Sequence, residues 1–422
     1  MFNKKTVFIL GAGASWHYGY PTGEELVERV KDKAQLIADY IESQENTNII
    51  VPNPPLIATE DLPPPPAGSG GINLQWNSLK QVAAELCRRI KRASPLVIDY
   101  FLGHNEQDNP SFPHDMSITR VGRACIAWVL LEAEVDYIAS RGNRNRMILV
   151  QGKREWPHRD NLPRDDWHRF VLHKLTTGCR TEESLINDNH VSFITFNYDI
   201  SLEHLMFEGL SAMRRFDQVA HPFVLNSDRF IHIYGNLRPQ NNLISAPPEI
   251  VKQCPARTRA DRVGNDAQIF TSLLNTVYEA SKGIDIIAPE KATAEPSAAI
   301  VKARRRIDEA EVIYILGYGF DRYNCDLLQL HESCAEGKTN IDRHIMFTNF
   351  GDRGTVSKMA GSIFWDSRSA FLKPGMVELD SYAHDYNDMM GLTPQHKRVI
   401  CEKSISNVYN ALANDFDSPE DA

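Results

Sequence analysis

Four short segments, polar or rich in glycine, each follow an apolar, β-prone run. Gly11-Ala12-Gly13-Ala14-Ser15 follows Thr6–Leu10, and Asn197-Tyr198-Asp199 follows Val191–Phe196. Gly317-Tyr318-Gly319-Phe320 follows Glu311–Leu316, and Asn349 follows Arg343–Thr348. Ligands of an open parallel sheet sit beyond the carboxyl ends of its strands, so the four segments together define one site. Glycines at 11 and 13 would let the backbone approach a pyrophosphate, and the next helix amino terminus favours negative charge. The same residues also suit a tight strand–helix turn. They do not complete the dehydrogenase fingerprint: Trp16 stands where its third glycine belongs, and no acidic strand end follows about 20 residues on. That argues against hydride transfer. Asn197, at the tip of a buried strand, can hydrogen-bond a ribose hydroxyl or a water, and Asp199 can cap a helix starting near Ser201. His232 and Tyr234 lie two apart in the run Phe230–Tyr234, which predicts that both face the same way. A histidine titrating near neutrality can serve as a general base; a satisfied core histidine is the structural alternative.

The elements that must position these residues follow from periodicity. Wholly apolar runs predict strands buried on both faces of a parallel sheet. Helical patterns cover Glu24–Tyr40, with Thr22 as cap and Glu25 as its capping-box partner, then Leu74–Ala93, Ile118–Ser140, Ala298–Ala310 and Lys397–Ala413. The stretch 51–71, with four consecutive prolines at 63–66, can sustain neither a helix nor a central strand. The expected fold is α/β, a Rossmann-like doubly wound parallel sheet with a large, mostly helical insertion and a helical C-terminal extension. Residues 1–30 and 186–375 are assigned to the sheet, 31–185 to the insertion, and 376–422 to the extension and an acidic tail.

Composition narrows the function classes. With 46 basic against 55 acidic residues the net charge is −9, so the chain as a whole has no pull toward nucleic acid or anionic membrane. The run Arg304-Arg305-Arg306 reads as a solvated helix face. Seven dispersed cysteines contain no C-x-x-C pair, so no structural zinc is expected and reduced thiols fit a cytoplasmic protein. Between Arg141 and Arg169 the histidines and aspartates lack metal-ligand spacing, which predicts a charged loop and no metal site. The apolar run Val7–Leu10 is too short for a signal peptide, and nothing approaches the roughly 20 apolar residues of a membrane span.

Taken together, Val7–Gly23 (VFILGAGASWHYGYPTG), Ile194–Glu203 (ITFNYDISLE), Ile231–Leu237 (IHIYGNL), Ile315–Leu328 (ILGYGFDRYNCDLL) and Asn349 resemble the sirtuin-like NAD hydrolases, especially the bacterial branch tied to antiphage defence. The resemblance covers about half the chain. It implies hydrolysis of the nicotinamide–ribose bond of NAD through an oxocarbenium-like state. It further implies that Gly11, Ala12, Gly13, Ala14 and Ser15 cradle the pyrophosphate, and that Asn197 holds the nicotinamide ribose or the attacking water, supported by Asp199. His232 would be the base, Gly317 and Gly319 would pass close to the adenosine ribose and phosphate, and Asn349 would bond the adenine-side ribose. A homo-oligomer, paired with a HerA-type hexameric ATPase, is implied as well. The chain departs from the acyl-peptide deacylases of the family by lacking a four-cysteine zinc module and by continuing Pro21-Thr22-Gly23-Glu24 after the glycine loop. Tyr234 also stands where the family usually has histidine. That substitution keeps open a sensor that binds NAD or ADP-ribose without turnover, or a structural subunit.

Overall fold

Phe8, Phe193, Phe230 and Tyr314 occupy equivalent positions on four neighbouring strands, and their rings form a ladder across the sheet. Phe8 stacks on Phe193 (5.2 Å between centroids) and on Tyr314 (4.9 Å), and Phe193 stacks on Phe230 (5.0 Å). The strand pairing follows the same matches, Phe8 with Phe193 and Tyr314, and Phe193 with Phe230. Because a one-residue slip would send every side chain to the opposite face, this ladder pins the register. It thereby sets the level at which Gly11, Asn197, His232 and Gly317 emerge, each two to four residues further along its own strand.

The computed structural model describes residues 1–44, 74–104, 115–142, 148–150, 153–155, 167–226, 228–237, 249–252, 263–286, 296–334, 344–348, 354–364 and 398–402. The strands are β1 (Thr6–Leu10), β2 (Ile148–Val150), β3 (Lys153–Glu155), β4 (Val191–Thr195), β5 (Phe230–His232), β6 (Val312–Leu316), β7 (His344–Thr348) and β8 (Arg398–Glu402). Strands β2 and β3 form a two-stranded sheet of their own. The other six form one sheet in the order β5-β4-β1-β6-β7-β8, with every neighbouring pair parallel. Counting only these six in chain order gives 3-2-1-4-5-6, an order compatible with a Rossmann-like sheet. The chain leaves β1 toward one edge and returns on its other side at β6, so the topological switch point lies between β1 and β6.

The helices are α1 (Gly23–Gln44), α2 (Leu74–Ala93), α3 (Ile98–His104), α4 (Asp115–Gly142), α5 (Trp167–Thr176), α6 (Glu182–Asn187), α7 (Ser201–Ser211), α8 (Asp217–His221), α9 (Val263–Ser281), α10 (Ala298–Glu309), α11 (Arg322–Leu327), α12 (Leu330–Cys334) and α13 (Gly354–Phe364). At the start of α1, Glu25 accepts a hydrogen bond from the Thr22 N–H at 2.9 Å, half of the expected capping box.

Two compact units result. The sheet unit comprises Met1–His17, Leu149–Ile233 and Ala294–Ala422; the second comprises Tyr18–Ile148 and Tyr234–Thr293. The helical unit therefore draws on two chain segments rather than on 31–185 alone, and α5 and α6 belong with the sheet. Within the helical unit α1 packs on α2 and α4, and α4 packs on α9. Trp128 sits at its centre, donating from Nε1 to Glu132 (2.9 Å) and to the Val251 carbonyl (3.1 Å).

Two expectations are corrected. The run expected to be helical from Lys397 starts instead with β8, which extends the parallel sheet beside β7. Its apolar triplet Val399-Ile400-Cys401 is too short for periodicity to separate a strand from a helix, and pairing decided between them. Strand β5 ends at His232, and Tyr234 lies in a turn, so strand alternation does not carry from one to the other. The 51–71 stretch and the residues from 403 onward lie outside the described residues.

Candidate functional site

The carboxyl ends of β1 and β6 are held together by backbone. Gly11 N–H donates to the Leu316 carbonyl and Gly13 N–H to the Gly317 carbonyl, both at 3.0 Å. Gly317 adopts φ +59°, and a Cβ there would lie 2.0 Å from the Ala14 nitrogen and 2.2 Å from the Gly13 carbonyl carbon. A Cβ at Gly11 would meet the Gly317 oxygen at 2.5 Å, and one at Gly13 would meet Gly317 Cα at 2.9 Å. Three of the four glycines in these turns are thus required by the turns' own contact. Gly319 differs: it is exposed, and a Cβ there would meet nothing within 4 Å. Thr348, at the end of β7, accepts the Gly317 N–H on its hydroxyl at 2.8 Å.

Ala12–Ala14 form a single 3-10 turn after β1. Within it, the N–H groups of Gly11, Gly13, Ala14 and Ser15 are already bonded to backbone carbonyls, and Ala12 alone has no such bond among the described residues. Trp167, buried in α5, donates its indole N–H to the Ala14 carbonyl at 3.0 Å and lies parallel to Phe8. It comes from the stretch expected to be a charged loop. His168 is buried in the same helix, and Trp156, His158, Asp160, Asp165 and Asp166 lie outside the described residues.

Asn197, just past β4, reaches this turn. Its Nδ2 donates to the Gly11 carbonyl at 3.0 Å and to Ser15 Oγ at 3.1 Å. With both amide hydrogens used, its Oδ1 takes no hydrogen bond among the described residues and is left as an acceptor. Ser15 Oγ in turn donates to Asp199 Oδ2 at 2.8 Å, so the serine joins asparagine to aspartate. Asp199 Oδ1 accepts from the Ser201 N–H (3.2 Å) and the Ser201 hydroxyl (2.5 Å) at the start of α7; the N-cap position is Ile200, so Asp199 supports the helix start from one residue before it. Ser15, expected to face a pyrophosphate, is buried and occupied by this relay. Burial pushes the Asp199 carboxyl above its ordinary range; the donors from Ser201 and Ser15 only partly counter it, and the charge of Glu203 adds to the rise.

His232 lies beside this network with both ring nitrogens engaged. Nδ1 is 3.1 Å from the Asn197 carbonyl oxygen and Nε2 is 2.5 Å from Glu203 Oε1, a buried carboxylate on α7. Burial, the largest influence, favours the neutral ring. The charge and hydrogen bond of Glu203, the Asn197 carbonyl and the charge of Asp199 together outweigh it and raise the His232 pKa.

The structure therefore brings Gly11 through Ser15, Asn197, Asp199, His232 and Gly317 to one end of the sheet, with Gly319 on the adjoining turn. Asn349 lies outside the described residues. Glu203, Ser201, Trp167 and Thr348 were missed. The spacing of Asp199 and Glu203, four apart across a helix start, was the available signal for one of them. Among the described residues no group of three or more histidine, cysteine or acidic side chains could hold a metal, and no helix is long and apolar enough to cross a membrane. Comparison with protein-family models, with curated proteins and with solved structures finds no match.

Two outcomes follow from this geometry. Gly317→Ala should lower the stability to chemical denaturation by about 3 kcal/mol or more, whereas Gly319→Ala should leave it within about 0.5 kcal/mol. Equal effects would refute the backbone contact as the reason for the glycine. The second outcome concerns pH. A raised folded-state pKa means that His232 contributes stability below its unfolded value of about 6.5 and loses it as pH rises through the folded value. Asp199, also raised, adds a loss of the same sign, beginning above about 3.9. The melting temperature should therefore fall as pH rises above about 6.5, and His232→Gln should flatten that fall. A melting temperature that rises with pH in the wild type alone would contradict the assignment.

Proposed function

We propose that this chain is an NAD glycohydrolase of the sirtuin-like kind, cleaving NAD and water to nicotinamide, ADP-ribose and a proton. The observation that carries the reading is Asn197. Its two N–H groups are fixed on the Gly11 carbonyl and Ser15 Oγ, which leaves its amide oxygen as an acceptor beside the glycine turn that borders the switch point between β1 and β6. Dinucleotides bind at such switch points. An immobilised acceptor suits a ribose hydroxyl or the attacking water, and holding water near the reacting carbon supplies much of the rate.

The chemistry asks little of an acid. The bond from the ribose anomeric carbon to the pyridinium nitrogen breaks, its electron pair leaves with nicotinamide, and nicotinamide departs neutral. Positive charge passes to the ribose, water adds to the anomeric carbon, and that water loses its proton. A homo-oligomer working with a HerA-type ATPase in antiviral defence belongs to the same proposal. A second reading, a sensor that binds NAD or ADP-ribose without cutting it, draws support from His232, whose nitrogens are both occupied.

Nicotinamide release from NAD by the purified chain, alone and with a HerA-type ATPase, separates the two readings. Hydrolysis predicts release that falls about 100-fold or more in Asn197→Ala. NAD binding by calorimetry with no release under either condition would replace the hydrolase by the sensor.

A further inference from the structure

The most constrained polar group at this end of the sheet is His232. Nδ1 faces a backbone carbonyl oxygen, which has no hydrogen to give, so Nδ1 must carry the hydrogen. Nε2 faces the Glu203 carboxyl group. One proton is shared across that contact. Whether it rests on the ring or on the carboxyl group, neither arrangement leaves a ring lone pair open to a substrate or a water. A base role would require His232 to break from Glu203, leaving a buried carboxylate without its partner, and such a break is costly.

We propose that Glu203 and His232 form a buried carboxylate–imidazolium clamp that positions Asn197 through its backbone carbonyl, so that His232 is a positioning residue and not the general base. The clamp acts on the main chain of Asn197, and Ser15 on its side chain. Ser15 and the Gly11 carbonyl fix the side-chain amide, while the His232 Nδ1–H fixes the main chain that carries it. Glu203 is held on the first turn of α7, whose first N–H, that of Ser201, is bonded to Asp199. The same carboxylates therefore set both the helix that presents the clamp and the loop that receives it. Among the described residues, the charges of Glu203 and Asp199 act on His232, and buried His168 lines the same small cavity as those two carboxyl groups. The small cavity beneath them, about 10 Å³ and lined by Thr195, Asn197, Asp199, Ser201 and Glu203 among others, has room for about one water.

The positioning claim stands on the coordinates of the folded chain, and only its kinetic consequence rests on the NAD-hydrolase reading. The experiment separates the two by measuring ring and amide nitrogens first, without substrate. Nitrogen-15 NMR of the wild type at pH 7, with His232→Gln to assign the ring, should show both ring nitrogens protonated. Glu203→Ala should deprotonate one of them and shift the Asn197 side-chain amide resonances. Glu203→Gln, which can still hydrogen-bond a neutral ring, should leave the Asn197 resonances near their wild-type positions. A ring singly protonated from pH 6 to 8 in the wild type, or Asn197 resonances unmoved in Glu203→Ala, overturns the clamp. Glu203→Gln and the wild-type measurement decide the matter even if Glu203→Ala does not fold.

Nicotinamide release then reads the consequence. The clamp predicts a rate that holds through pH 6.5 and declines on the alkaline side, with kcat reduced about 10- to 100-fold in Glu203→Ala, little change in KM, and recovery in Glu203→Gln. A rate that rises with pH through about 6.5, as deprotonation of a catalytic base demands, overturns the positioning role. Absence of release in the wild type would count against the hydrolase reading alone, because the ring and amide signals decide the clamp without turnover.

Discussion

Two turns at the carboxyl ends of adjacent strands approach so closely that no side chain fits between them. Gly11 and Gly13 on one donate backbone hydrogen bonds to the Leu316 and Gly317 carbonyls of the other, and a Cβ at Gly11, Gly13 or Gly317 would lie within 3 Å of the opposing main chain. Gly317 also needs a positive φ, which glycine adopts without strain. This contact closes the sheet's switch point from below and sends the chain after β1 into a 3-10 turn. A glycine-rich turn after a strand is commonly read as room for a phosphate. Here most of that room is taken by the protein itself. Among the described residues, the Gly319 position stays open and the Ala12 N–H takes no backbone bond, a narrower opening than the sequence motif suggests.

From that contact the polar network follows. The Gly11 carbonyl accepts one Asn197 hydrogen, Ser15 accepts the other and passes its own to Asp199, and Asp199 starts α7. Glu203, in the first turn of that helix, reaches His232, which returns to the Asn197 main chain. The chain of contacts closes on itself. A net hydrogen bond contributes only about 1 kcal/mol, but a buried group left without its partner costs about 1–3 kcal/mol. Each member is therefore protected by the cost of orphaning its neighbour, and the loop as a whole is stiffer than any single bond would make it. A fixed acceptor oxygen on Asn197 is the chemical product of that stiffness.

Much of the sheet was legible in the sequence because parallel strands buried on both faces leave wholly apolar runs. Thr6–Leu10, Val191–Thr195, Val312–Leu316 and His344–Thr348 all form strands where they were expected. The placement of Asn197, Asp199 and the glycine turns at one edge followed from that pattern and from strand polarity. The sequence could not show what the glycines touch, since a turn that cradles a phosphate and one that packs on a second turn have the same composition. Nor could it show Glu203, which reads as an ordinary polar position on an amphipathic helix until β5 brings His232 against it. Trp167 was hidden for a similar reason: it follows a charged, aperiodic stretch, and its contact with Ala14 spans 153 positions of chain. Strand β8 was misread because a short apolar run has no intrinsic preference strong enough to override its pairing partner.

On the proposed function, a dinucleotide approaches the sheet over Gly319, the one of the four turn glycines that packing leaves free. Calorimetric binding of NAD to the wild type and to Gly319→Phe tests this most directly, because a side chain at 319 starts in open space and leaves the turn contact intact. The expected result is binding to the wild type and a loss of at least about tenfold in affinity in the variant, with the melting temperatures equal; a tenfold loss corresponds to about 1.4 kcal/mol. Equal affinity for both proteins, or no binding to the wild type, would contradict it.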